Sequence, residues 1–488
     1  MKLCCVGHTF RYEMEKLCRL FLPFEKIEVI DEIAEDDSVA VTKLYGNSIY
    51  SSLKYGDAFC EKTGVLPENF SDRDAEREIA AILFDCFVQI TDYAVKWGIV
   101  TGIRPACLYS SVIKELGSEE EAQRFFREKF YVNDEKISLC KETYLAEENI
   151  IRMSSPRSFS LYISIPFCPT RCSYCSFVSH AIEKTEKLIP QYVEYLCKEI
   201  VYTANIAKEL NLRLETIYIG GGTPTTLTAC QLERVISIIK TSFDLKYLRE
   251  FTVEAGRPDT ITEDKLCVLK KLGVDRISIN PQTMNDEVLK NIGRAHTAMQ
   301  TIEAFKLARR IGFDNINMDI IAGLPDDNID SFKNTLLQIS ELDPESVTVH
   351  SLSMKRSSKM NVNGDFPEIE IGKTADEMVM YAREFLTSRG VVPYYMYRQS
   401  KTVGNLENVG YSKTGTECLY NVFIMDETHT ILGCGASAVT KMREPNGDYI
   451  ERVFNYKYPY EYINNFDIIL QRKNAIKEFY KKYPVEKN

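Results

Sequence analysis

The sequence predicts an α/β protein built on a partial (β/α)6 barrel, with an α/β region before it and a mixed region after it. Three observations lead there. From about residue 160, short apolar runs alternate with longer stretches of helical periodicity, the order expected of parallel strands joined by crossover helices. Helical spacing is explicit in Leu188, Tyr192, Tyr195, Leu196 and Ile200, and again in Leu232, Val235, Ile236 and Ile239. The alternation runs through six units and stops, short of a closed eight-unit barrel.

The strands are expected at 160–167, 214–220, 250–255, 276–280, 315–321 and 346–352. Helices are expected at 188–208, 228–243, 262–272, 298–311 and 328–341, with another at 374–389. Ahead of the barrel, 39–45 reads as a strand and 75–97 as a helix. The run Trp97-Gly-Ile-Val-Thr-Gly-Ile-Arg-Pro105 holds the only tryptophan and reads as a packed structural turn, with a binding turn as the alternative. Residues 390–450 read as strands and turns. The last helix carries Arg472, Lys473, Lys477, Lys481 and Lys482, a solvated face by charge pattern. The expected domains are 1–150, 155–360 and 361–488.

Hydrophobic residues make up 44% and charged residues 27% of the 488, enough apolar material for a proper core. A net charge of −10 argues against a general nucleic-acid binder, which carries a basic excess. No apolar run approaches the ~20 residues of a membrane span. The N-terminus lacks a signal-peptide core, so a cytoplasmic location is expected. In a reducing compartment the fifteen cysteines are not a disulfide framework. Cys197 and Cys267 read as buried small hydrophobes, and the adjacent Cys4 and Cys5, with no third ligand nearby, as structural.

Cys168, Cys172 and Cys175 differ: they stand at C-x3-C-x2-C spacing directly after the first barrel strand. Thiolates in one loop are the usual ligands of iron–sulfur clusters. Three of them on a four-iron cubane leave one iron open, the mark of a catalytic rather than a structural metal site. Zinc held by the three cysteines and His180 is the alternative.

Other polar features fall at the C-terminal ends of the expected strands, where parallel α/β barrels collect their active sites. Gly220-Gly221-Gly222-Thr223-Pro224 follows the second strand, Glu254 ends the third, Gln282 follows the fourth and Asp319 lies on the fifth. These residues fit S-adenosylmethionine held on the open iron. Glycines at 221 and 222 let backbone approach its amino group. Glu254 can balance its positive charge or bind its ribose. Arg294 can fork onto its carboxylate. Gln282 and Asp319 can hold ribose hydroxyls, and Tyr162 alternates toward the same interior. Taken singly, each has a plainer reading: a tight turn for the glycines, an ion-pair role for the acids, satisfied structural positions for His296 and His350.

As a set, Leu161-Tyr-Ile-Ser-Ile-Pro-Phe-Cys-Pro-Thr-Arg-Cys-Ser-Tyr-Cys-Ser-Phe, Tyr218-Ile-Gly-Gly-Gly-Thr-Pro-Thr, Arg276-Ile-Ser-Ile-Asn-Pro-Gln, Ile292-Gly-Arg-Ala-His-Thr and Asp319-Ile-Ile-Ala-Gly-Leu-Pro resemble the radical S-adenosylmethionine enzymes. The branch they resemble is that of oxygen-independent coproporphyrinogen III oxidase, over roughly residues 160–445. The Trp97–Pro105 run and Tyr397-Arg-Gln…Gly404-Asn-Leu-Glu-Asn-Val-Gly-Tyr411 are similar to the HemZ-type paralogues within it.

The resemblance implies a radical-SAM barrel, a coproporphyrinogen-oxidase-like C-terminal domain, a [4Fe-4S] cluster on Cys168, Cys172 and Cys175, and S-adenosyl-L-methionine as cofactor. It implies cofactor contacts from Tyr162, Gly221, Gly222, Thr223, Glu254, Gln282, Arg294 and Asp319, and from Val439 in Gly433-Cys-Gly-Ala-Ser-Ala-Val439. The implied partners are a tetrapyrrole, coproporphyrinogen III or heme, and a reductant such as flavodoxin or ferredoxin. The implied reaction takes hydrogen from a propionate β-carbon with a 5′-deoxyadenosyl radical, then loses CO2 and one electron to leave a vinyl group. Lys355, Arg356 and Arg398 are candidate anchors for propionates, or else ordinary surface charges. Phe177 stands where the main oxidase branch has a further cysteine, as in the heme chaperone branch, and Asn280-Pro281 precedes Gln282 where a Gly-Val-like pair is common. A heme chaperone and a heme-modifying radical enzyme are the rival functions.

Overall fold

The computed structural model describes residues 1–175, 180–353, 367–399 and 401–485. Phe177, Lys355 and Arg356 lie outside them. Contacts divide the chain into two compact units, not along the three linear segments expected. One comprises Met1–Leu145, Ser351–Val379 and Met396–Asn408; the other comprises Ala146–His350, Met380–Tyr395 and Val409–Asn488.

The larger unit is built around the expected barrel strands, observed as Ser158–Ile165, Arg213–Gly221, Glu250–Gly256, Arg276–Ile279, Asn315–Ala322 and Ser346–Ser351. They lie side by side in chain order, and the first five pair in parallel. Their sequences explain the two faces. Phe159, Leu161, Ile163, Ile217, Ile219, Val253, Ile277, Met318, Ile320, Val347 and Val349 are all at most 2% exposed. Between them alternate Ser160, Tyr162, Thr216, Tyr218, Glu254, Ser278, Asn317, Asp319, Thr348 and His350. Period-two alternation thus gives each strand one face for the core and one for chemistry.

The crossover helices arrive as expected, at Ile189–Glu209, Ala229–Ser242, Glu263–Lys271, Ala298–Ile311 and Ile329–Leu342. Their starts are set by side-chain caps. Thr228 with Gln231 and Thr297 with Gln300 form capping boxes, each satisfying two otherwise orphaned backbone donors.

The sheet does not stop at six strands. Glu407–Ser412 pairs antiparallel with the sixth strand, and Val392–Arg398 lies beyond it. On the other side Thr430–Cys434 pairs in parallel with the first strand, followed by antiparallel Val439–Arg443 and Ile450–Phe454. This edge explains why Lys473 is not solvated as its charge pattern predicts. It is 1% exposed, lies 3.1 Å from Glu199, and donates to the Gly433 carbonyl. Glu199 also accepts from Gly435 N at 2.8 Å, Asn455 Nδ2 at 2.8 Å and Tyr462 Oη at 2.6 Å. These donors satisfy the buried carboxylate, which would otherwise be costly to remove from water.

The smaller unit contains a five-stranded sheet in the order Glu28–Ile30, Lys2–Val6, Ser38–Tyr45, Ser48–Tyr55, Ala58–Val65. The strand expected at 39–45 is present. The helix expected at 75–97 is observed as Asp72–Thr91, because the Ser71–Asp74 capping box starts it earlier and Asp92 ends it in a left-handed turn. Trp97 lies beyond that end and is 1% exposed; its Nε1 donates to Glu407 Oε2 at 2.7 Å. Lys136 Nζ donates to Glu407 Oε1 at 2.7 Å and is also 1% exposed. Arg398 is buried too. It donates to the carbonyls of Val100 and Asn405 and sits 5.3 Å from the Trp97 ring centroid. Trp97, Gly98 and Val100 are packed as the structural-turn reading expects, while Thr101, Gly102 and Ile103 are exposed. Arg398 is a structural cation whose fork is spent on backbone, neither a surface charge nor an open anchor.

Cys4, Cys5 and Cys197 are buried as expected, whereas Cys267 is exposed on its helix. Among the described residues no helix is long and apolar enough to cross a membrane.

Candidate cofactor site at the strand ends

The cysteine loop leaves the first strand and is held by the glycine run of the second. Gly222 N donates to Ile165 O at 2.8 Å, and Thr223 N to Phe167 O at 2.8 Å. A Cβ on Gly222 would meet Phe167 O at 2.6 Å and Cys168 Sγ at 3.0 Å. Gly221 takes φ +109, and a Cβ there would lie 2.9 Å from Ser164 Oγ. Both positions require the missing side chain.

From the other side, Ser173 N donates to Ile292 O at 3.1 Å, and Thr170 Oγ1 to Gly293 O at 3.1 Å. The Ile292–Thr297 motif therefore packs on the cysteine loop. Its Arg294 donates to Tyr174 Oη at 2.8 Å and to Asn280 O at 3.4 Å.

Donors also reach the thiols of this loop. Thr223 Oγ1 lies 3.5 Å from Cys168 Sγ, and Arg257 Nη1 lies 3.7 Å from Cys172 Sγ. Spacing does not mark Arg257; its position just past a barrel strand end is in the sequence, but its burial is not.

Deeper on the same face, Tyr162, Tyr218 and Tyr420 stack, with 4.4 Å between the last two ring centroids. Tyr420 comes from the helix Leu419–Asp426, whose first backbone N–H groups are capped from a distance: Glu250 accepts from Leu419 N at 2.6 Å. Tyr218 Oη donates to Glu254 Oε1 at 2.6 Å. Gly433 stands opposite Tyr162 in register, and Val439 crosses over Gly433, which places the predicted Val439 at this edge.

Asp319 is drawn to Gln282 by backbone. Gln282, at φ +69, donates its N–H to Asp319 O at 2.9 Å and accepts from Ile321 N at 2.9 Å. Asn317 Nδ2 donates to Asp319 Oδ1 at 2.7 Å, and His350 Nε2 stands 3.7 Å from Asp319 Oδ2.

The two acids are pushed apart. Burial raises Glu254 to about 7, with the Asp319 charge adding to the shift against the Tyr218 hydrogen bond. Burial would raise Asp319 as well, but His350, Asn317 and Thr348 hydrogen-bond to it and hold it below its usual range. At neutral pH one carboxylate is firmly charged and the other is poised.

The raised Glu254 has a measurable consequence. Its unfolded carboxyl ionises near its ordinary 4.5, its folded one near 7, so between these values the folded chain holds the extra proton. The resulting stability is complete below 4.5 and is lost as pH rises through 7. Glu254→Gln is expected to remove that slope and to be the more stable variant at pH 8. The gain should be on the order of 2 kcal/mol, allowing for screening at a half-buried position. Urea unfolding of both proteins at pH 5 and 8 reads it, and parallel pH profiles would contradict it.

The structure thus brings ten of the predicted residues into two adjoining groups. Cys168, Cys172, Gly221, Gly222, Thr223 and Arg294 belong to the loop; Tyr162, Glu254, Gln282 and Asp319 belong to the strand ends. Among the described residues no three His, Cys, Asp or Glu side chains converge as ligands of one ion, so Cys168, Cys172, Cys175 and His180 do not form a ready zinc tetrahedron. The cysteines of a cubane bind three different irons and have no need to converge.

Residues 162–339 match the radical SAM superfamily model. The Bacillus subtilis (strain 168) oxygen-independent coproporphyrinogen-III oxidase-like protein HemZ is 40% identical over 407 residues, which is 82% of this chain and 81% of that protein. The chain belongs to that radical SAM family. The Bacillus subtilis heme chaperone HemW is 32% identical over 311 residues, 62% of this chain and 77% of its own. In fold, the radical SAM coproporphyrinogen III oxidase HemN of Escherichia coli superposes with a TM-score of 0.50 at 22% identity, covering 67% of this chain and 73% of HemN.

Membership of the radical SAM family implies a [4Fe-4S] cluster and S-adenosyl-L-methionine. The loop suits the first: its thiols are closely spaced, Thr223 and Arg257 donate toward the sulfurs of Cys168 and Cys172, and Gly222 keeps the space above Cys168 clear.

Proposed function

We propose that this chain catalyses oxygen-independent oxidative decarboxylation of coproporphyrinogen III to protoporphyrinogen IX. The observation that carries the reading is the 40% identity to HemZ, which runs through 82% of the chain, whereas the heme chaperone match covers 62%. Cys168, Cys172 and Cys175 hold the cluster. Gly221, Gly222 and Thr223 admit the methionine end of S-adenosylmethionine; Tyr162, Glu254, Gln282, Asp319 and Val439 line its nucleoside end, and Arg294 braces the loop. When bound, these cofactors supply one-electron cleavage of a carbon–sulfur bond and hence a carbon radical for hydrogen abstraction.

The residues' own work is placement and exclusion. The tyrosine stack closes the floor of the site against water. The charged Asp319 offers an acceptor fixed by Asn317, and the poised Glu254 can hold or release a proton at Oε2 while Oε1 stays on Tyr218. Flavodoxin or ferredoxin fits as electron donor, and the location is cytoplasmic.

Anaerobic protein given coproporphyrinogen III, S-adenosylmethionine and a reductant is expected to form divinyl product together with 5′-deoxyadenosine. Neither product, with tight heme binding and transfer to an apo-acceptor instead, would replace this reading with the chaperone one. An added methyl or opened ring by mass spectrometry would mark heme modification.

A further inference from the structure

We propose that Arg257 is a positioning residue that tunes the cluster: it donates to the sulfur of Cys172 and keeps the cluster's reduction potential higher than the loop alone would. The inference rests on the reading of Cys168, Cys172 and Cys175 as cluster ligands and names a regulator of that same site.

Arg257 lies just past the third barrel strand and is 3% exposed. Its backbone is fixed, with Thr260 N and Thr260 Oγ1 both donating to its carbonyl at 2.9 and 2.8 Å. The guanidinium is divided between two tasks. The Nε and Nη2 edge forks onto Asp259 at 2.9 and 2.8 Å. Nη1 turns the other way, to Thr170 Oγ1 at 2.9 Å and to Cys172 Sγ at 3.7 Å. Both of these partners lie on the cysteine loop, and Thr170 is in turn tied to Gly293. An arginine that only braced the loop would need Asp259 and Thr170; the second N–H of Nη1 is aimed at the Cys172 sulfur in a buried place. Tyr174, which accepts from Arg294 at 2.8 Å, is a further hydrogen-bond partner of Cys172.

The sign follows from charge. One-electron reduction makes a cluster more negative by one unit. A donor and a positive charge beside a ligand sulfur stabilise the reduced form more than the oxidised one and so raise the potential. Burial strengthens the interaction because little water screens it. Asp259 acts against it, since the ion pair is a dipole whose positive end faces Cys172. The two partners must then have opposite effects, which a purely structural brace would not produce.

The test uses the full chain, reconstituted anaerobically with iron and sulfide and titrated by electron paramagnetic resonance without S-adenosylmethionine. Arg257→Gln should load iron as the native chain does and have a lower midpoint. At the native midpoint its reduced-to-oxidised ratio should fall about tenfold, a 59 mV shift for one electron. Asp259→Asn should shift the midpoint upward. Native midpoints in both variants, or shifts of the same sign, overturn the proposal. If Arg257→Gln does not load, Arg257→Lys, which keeps the charge and a donor, decides. Loading with a midpoint below the native one supports tuning; a native or raised midpoint, or failure of both variants to load, makes the residue a builder of the loop and overturns it. A native chain that never takes up iron instead defeats the cysteine reading itself, and the tuning role with it.

Discussion

Serine at Cys172 is expected to leave the anaerobically reconstituted chain nearly colourless, with its iron and sulfide content and its reduced-state paramagnetic signal almost wholly lost. The same is expected at Cys168 and Cys175. A hydroxyl does not ionise at neutral pH and is a poor ligand for iron, so each change removes one of the three corners by which the cubane is held. Among the described residues no His, Asp or Glu side chain converges with the cysteines to replace one of them. Cys230 and Cys267 are exposed on helices of the same unit and serve as controls. Serine at either should leave the full iron content. A cluster that survives loss of any one loop cysteine would place the ligands elsewhere.

The second large effect is on stability. Glu407→Ala is expected to destabilise the smaller unit by about 3–5 kcal/mol, because it strands the Lys136 charge where water does not reach. Trp97 Nε1 would lose its acceptor as well. Glu135, 3.3 Å from Lys136, softens the loss without cancelling it. Replacing both partners, Lys136→Met with Glu407→Leu, should recover part of the stability, since no buried charge is then stranded and only the Trp97 N–H lacks its acceptor. With two compact units a single unfolding midpoint is not well defined. Hydrogen exchange in peptides from 1–145 is the direct readout. Unchanged protection in the single variant would show that the network contributes little.

Much of this was legible in the chain because it depends on local rules. Strand alternation at Leu161–Ile165 or Ile217–Gly220 shows which residues share a face, and chain order then carries Glu254 and Asp319 to the same rim. Cysteine spacing is chemistry written directly in sequence. What escaped is what depends on distant partners. Lys473 sits on a helix whose pattern reads as solvated, and only the Gly433 edge and Glu199 make it an interior residue. Thr430–Cys434 is too short a run to declare itself a strand parallel to the first one. Tyr420 reaches the tyrosine stack because Glu250, far away in sequence, caps its helix. Arg398 read as a surface charge or an anchor because no local rule reveals that Val100 and Asn405 take up its fork. The end of the helix at Thr91 was missed because its left-handed stop at Asp92 has no glycine to announce it.

The carboxyl of Glu407 joins two stretches, Trp97–Pro105 and Tyr397–Tyr411, that stand some three hundred positions apart in the chain. Inheritance has to treat them as a single trait. A lineage that shed the leading stretch would leave the acid without its indole donor, and one that shed the later stretch would strand both Lys136 and the indole. Neither half makes a sensible intermediate, so loss or gain should occur in one step or through neutral replacement of the whole set. For the experimenter, a clone trimmed at codon 150 encodes most of a module but omits its keystone, and poor solubility of that fragment would say nothing against the parent.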